Sequence, residues 1–117
     1  MIDVSFEEEK GRITLKMKGH AGQAIFGKDI VCSAASILAY TVAQYVHTAG
    51  REGELALRPV IELEEGEALI SCDPYGISYS TIKGVFLFAE VGFKLLEKSF
   101  PLFVRLKEFG TDNNPKK

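Results

Sequence analysis

The sequence predicts an α+β domain with element order ββαββαβ, in which a mostly antiparallel sheet packs against two helices. Three observations carry that expectation. Apolar and polar residues alternate near the N-terminus, at the period of half-buried strands. Two longer stretches, after residues 29 and 77, carry apolar residues at helical spacing. Glycine- and proline-bearing turns separate these segments. With 117 residues, 46% of them hydrophobic, the chain has the apolar mass for one core. It reads as a single domain over residues 1–110 with a polar tail at 111–117.

Ile2, Val4 and Phe6 alternate with polar residues, as do Ile13, Leu15 and Met17, and EEKG between them turns the chain into a hairpin. From Gly19 to Lys28 the composition shifts to Gly, Ala and polar residues around Phe26, which predicts a long loop. Asp29 then suits an N-cap. A helix over 30–49 follows, with Val31, Ala34, Ala35, Leu38, Val42, Tyr45 and Val46 on its apolar face and Gly50 as its stop. His47 falls in its predicted last turn, where a positive charge suits the dipole.

Strands are expected at 54–64 and 67–72, joined at EEGE; Pro59 makes the first an edge strand or interrupts it. Residues 78–98 predict a second helix with Ile82, Phe86, Ala89, Phe93 and Leu96 on one side. Val85, Leu87, Phe88 and Val91 make it apolar nearly all round, as in a helix either sandwiched in the core or shared with a partner subunit. PLFVRLKEF supplies the final strand.

Fourteen basic against sixteen acidic residues, with the cations scattered, argue against direct nucleic-acid binding. No uninterrupted apolar run approaches the ~20 residues of a membrane span, so no membrane association is expected. The start, MIDVSFEEEK, has neither a basic region nor an apolar core, so it does not read as a signal peptide. The expectation is a cytoplasmic protein with Cys32 and Cys72 as free thiols.

The segment GHAGQAIFGKDIVCSAAS carries the candidate chemistry. His20 leaves a strand end, and Cys32 lies in the predicted first helical turn, where free N–H groups and the dipole favour a thiolate. An imidazole twelve residues upstream can take the thiol proton and return one to a leaving amine. Gly19, Gly22 and Gly27 permit tight backbone turns and close substrate approach. Amides at the helix start can stabilise an oxyanion. The plainer alternatives are a core cysteine, a histidine that ends a strand and an aspartate that only caps. A nearby carboxylate would also raise the thiol pKa.

Other candidates are weaker. His20, Cys32, His47 and Cys72 contain no short-spaced ligand pair, so no metal site is expected. GKDIV lacks the features of a phosphate loop. Cys72 reads as a buried strand residue, and the acidic run Glu62, Glu64, Glu65 and Glu67 as a solvated hairpin tip.

At GHAG (residues 19–22), GKDIVC (27–32) and SAAS (33–36) the sequence resembles the ribosomal-processing cysteine proteases of Firmicutes and related bacteria, with Ser33 where an alanine is usual. The resemblance runs the length of the chain. It implies a homodimeric, cofactor-free cysteine endopeptidase with His20 as base and Cys32 as nucleophile, supported by Asp29. Ser36 would line the site, and the 19–28 loop, with Phe26, would close over substrate. The implied substrate is the N-terminal extension of large-subunit ribosomal protein number twenty-seven, cut after a phenylalanine pair and before a small residue. Phage capsid or scaffold precursors carry the same motif. The competing reading is a non-catalytic, ribosome-associated peptide-binding module.

Overall fold

The computed structural model describes residues 1–19 and 28–110, with the side chains of residues 28 and 29 excepted. The expected order is present: β1 (Ile2–Glu9), β2 (Arg12–Gly19), α1 (Lys28–Arg51), β3 (Val60–Glu64), β4 (Glu67–Cys72), α2 (Gly76–Ser99) and β5 (Val104–Lys107). The strands form one sheet in the order β3-β4-β2-β1-β5, antiparallel except for the parallel β1–β5 pair.

Strands β1, β2 and β4 bury alternate residues on one face. Ile2, Val4 and Phe6 of β1, Ile13, Leu15 and Met17 of β2, and Ala68, Ile70 and Cys72 of β4 point into the core beneath the helices. The β1–β2 turn has positive φ at both central residues, Lys10 (52°) and Gly11 (84°). That is the backbone sense that matches strand twist in a two-residue hairpin. Glu8 of β1 accepts hydrogen bonds from the Tyr79 hydroxyl, at 2.7 and 2.8 Å, and pairs with Lys83, which ties the sheet to α2.

Helix α1 lays Val31, Ala35, Ala39, Val42, Val46 and Ala49 on the sheet; Tyr45, expected on that face, is on the outer side. The stop is Gly53 rather than Gly50. Glu54 N–H donates to Ala49 O (2.9 Å), Gly53 N–H to Gly50 O (3.3 Å), and Gly53 takes φ 75°. This αL closure demands glycine at Gly53. Gly50 stays helical, and a Cβ there would meet Leu55 and Pro59 at 3.5 Å. His47 is therefore just short of the last turn. The 54–64 strand is cut at Pro59, leaving β3 as an edge strand and a lone Leu55–Pro74 bridge. By length and composition alone, Ile30–Arg51 (mean hydropathy 1.3) could cross a membrane, contrary to the sequence expectation. Its polar interruptions are mostly uncharged, and here its apolar stripe lies against the sheet.

All five predicted inward residues of α2, Ile82, Phe86, Ala89, Phe93 and Leu96, are buried. Phe93 meets Phe6 edge-on at 5.9 Å, and Phe109 packs on Phe6 at 5.3 Å. The 111–117 tail lies outside the described residues.

Candidate active site

Cys32 is half-buried on α1 and borders a recess of ≈ 180 Å³. Sheet and helix contribute one wall each: Ile2, Met17 and Gly19 from the ends of β1 and β2, and Cys32, Ala35, Ser36 and Tyr40 from α1. The third wall is the β3–β4 turn, Glu64, Glu65 and Gly66. The sulfur is thus not sealed into the core. Gly19 is fixed by β2 pairing with Ile2 and by its N–H donating to Gly66 O at 2.8 Å. Its φ is 110°, and a Cβ would sit 2.3 Å from Met1 O, so only glycine fits where the strand ends.

Of the sequence-predicted residues, the structure brings together Cys32, Gly19 and Ser36. His20, Gly22, Phe26 and Gly27 lie outside the described residues. α1 begins at Lys28, one residue ahead of the expected cap, so Asp29 is the second helical residue and not the one that precedes the helix; its side chain lies outside the described residues. The same shift makes Cys32 the fifth helical residue. It follows the four residues whose N–H groups lack intrahelical acceptors, instead of being one of them.

Sequence reasoning missed Tyr40 and the hairpin tip. Cys32, Ser36 and Tyr40 recur every fourth residue and so share one face, a signal present in the sequence. Glu64 and Glu65 are solvated as expected, yet their turn borders the recess because β4 pairs with β2 and returns it to Gly19.

The chain's two histidines are not equivalent candidates. His47 lies fifteen residues beyond Cys32 on the same helix, which at ~1.5 Å per residue is about 22 Å along the axis. It cannot reach the sulfur. His20 directly follows Gly19, a wall of the recess. Cys72 is 1% exposed, and burial, with help from Asp73 and against Arg12, pushes its thiol up to about 12. It is an inert core group.

Residues 1–105 match the model of a family described as cysteine protease Prp. Among solved structures, SMU.848 from Streptococcus mutans is similar at 26% identity and TM-score 0.64, over 93% of this chain and 94% of that one. The ribosomal processing protease Prp from S. aureus, solved with a substrate peptide, shares the fold at 21% identity and TM-score 0.65, covering 92% and 99%. The same protein solved with a covalently linked product peptide gives 22% and 0.64. No curated protein matches significantly.

Proposed function

This chain belongs to the cysteine protease Prp family, and from that premise we propose that it is a Cys-His endopeptidase that removes the N-terminal extension of a large-subunit ribosomal protein. The substrate is ribosomal protein number twenty-seven, cleaved after a phenylalanine pair and before alanine or serine; phage capsid or scaffold precursors with the same motif are further substrates. The enzyme acts in the cytoplasm as a homodimer.

Cys32 is the nucleophile. His20 takes its proton, and the Sγ thiolate attacks the scissile carbonyl carbon. Collapse of the tetrahedral intermediate expels the amine of the downstream fragment, which receives that proton from His20. Water, deprotonated by His20, then hydrolyses the thioester and releases the upstream fragment as an acid. Asp29 supports the pair from the first turn of α1. Gly19, Gly22 and Gly27 give the backbone its turns beside the substrate, Ser36 lines the recess one turn past Cys32, and Phe26 contacts the substrate phenylalanines.

One observation supports this reading: Cys32 opens onto a recess walled by Gly19, the residue that precedes His20 in the sequence, while His47 is out of reach. The test is incubation with the ribosomal precursor and mass spectrometry of the products. Wild type is expected to yield one cut after the phenylalanine pair. Cys32→Ala and His20→Ala should each slow it by at least about 10³-fold while keeping native circular dichroism. A folded Cys32→Ala protein with full activity would end the proposal.

A further inference from the structure

The Cys32 recess does not end at Tyr40. That residue is shared with a second recess of ≈ 440 Å³, formed by Tyr40, Ala43, Gln44 and His47 of α1 with Ile61 and Leu63 of β3. His47 and Ile61 are in turn shared with a wider opening that Arg51 and Arg58 border. Together they make one trough along the seam between α1 and β3, with the sulfur of Cys32 at one end.

The wall opposite α1 is the free edge of the sheet. Glu64 pairs with Glu67 across the two-residue turn Glu65–Gly66. Residues that flank such a turn exchange both backbone hydrogen bonds, and the alternation sends the amides and carbonyls of Glu62 and Glu64 inward to β4. Those of Ile61 and Leu63 point outward, and nothing among the described residues pairs with them. The other sheet edge is protected. Glu97 accepts from Leu106 N–H at 2.8 Å, and Glu90 from Phe109 N–H at 2.7 Å. An edge left open beside the Cys32 recess is a template for an added strand.

We infer that this trough is the substrate cleft, in which an extended peptide pairs with Ile61 and Leu63 as a sixth strand while its scissile bond lies at Cys32. The inference rests on the proteolytic reading of Cys32. The five residues of β3 span about 17 Å at ~3.3 Å each, so the cleft holds about five substrate residues on one side of the cut. Alternate side chains face α1 and meet Tyr40, Ala43, Ile61 and Leu63, which selects apolar residues two apart; the intervening ones face away. Tyr40, between nucleophile and cleft, is the specificity-determining residue of the first such position.

The probes are a ten-residue peptide with a central Phe-Phe-Ala and two versions trimmed to two residues on either side of the cut. Removing the half that occupies the cleft is expected to raise KM at least tenfold in wild type, and removing the other half less than twofold. Leu63→Pro deletes one outward N–H without touching the β4 ladder, and should make the full and trimmed peptides converge. In Cys32→Ala, saturation with the full peptide should slow hydrogen exchange at the Ile61 and Leu63 amides at least tenfold and leave Glu62 and Glu64 unchanged. Cleavage with no length dependence and unprotected amides overturns the cleft and leaves the protease standing. Protected amides with no cleavage by wild type overturn the protease and leave the cleft.

Discussion

Cys32 and Cys72 show how little a residue's chemistry depends on its type. One thiol opens on a recess; the other, beneath α1 on β4, faces only core. Burial raises the Cys72 pKa from 9.0 to about 12, and that shift has a thermodynamic signature. A thiol held neutral in the fold but free to ionise when unfolded contributes stability below about pH 9, and that contribution is lost progressively as pH rises toward 12. Cys72→Val, close in volume and unable to ionise, is expected to remove this dependence. Urea midpoints at pH 8 and pH 10.5 measure it: wild type should fall between them more than the variant does. At pH 8, alkylation should label Cys32 alone in native protein and reach Cys72 only after unfolding. Equal labelling of both native cysteines, or identical pH slopes, would contradict the burial argument.

Between elements, the α1–α2 contact turns on one missing side chain. A Cβ at Gly92 would lie 2.7 and 3.1 Å from the two Leu38 methyl carbons, so both branches of one leucine occupy the space a side chain would need. Gly92→Val should cost about 1–3 kcal/mol from overpacking, more than the ~0.5 kcal/mol that valine regains in helix propensity. Adding Leu38→Ala should recover part of the loss, because the two changes share one volume; thermal unfolding of wild type, the two single variants and the double variant checks this. The contact also marks where sequence reading stops. Strand alternation and the inward face of α2 were legible because burial imposes periods of 2 and 3.6 on local sequence. Gly50, Tyr45 and Asp29 were misassigned because a local pattern does not say which glycine must adopt αL, which flank of a helix meets the sheet, or where its first turn closes. Within the site, Cys32 and Ser36 could be read from a motif and a helical repeat. The hairpin-tip wall could not, since it reaches Cys32 only through the pairing of β4 with β2.

Across the whole molecule, one face remains unaccounted for by a single copy. The outer side of the helix pair is a groove of ≈ 840 Å³ lined by Ile37, Tyr40, Tyr45, Val85, Phe88, the amide of Gln44 and small or hydroxyl residues, with no charged side chain among them. Phe88 is 82% exposed beside it, and a Cβ at Gly84, one turn earlier, would meet nothing within 4 Å. A mid-helix glycine costs ~0.5–1 kcal/mol against alanine, and no contact among the described residues requires it. A knob and a hole one turn apart on an uncharged surface are self-complementary: a two-fold axis would set each Phe88 over the other copy's Gly84. Such a patch meets its own copy without burying an unpaired charge. The homodimer is therefore expected through this face, with sedimentation at micromolar concentration giving twice the 12.9 kDa chain mass. Phe88→Asp should weaken association at least about 100-fold, near 2.7 kcal/mol. Leu102→Asp, at a residue 81% exposed in the turn between α2 and β5 and not part of the groove lining, should leave it unchanged. Gly84→Leu should weaken it by filling the hole, and Phe88→Ala added to Gly84→Leu should restore part of it by exchanging knob and hole. A monomer at 100 µM in wild type, or equal loss from Leu102→Asp and Phe88→Asp, would show that the groove is not where two copies meet.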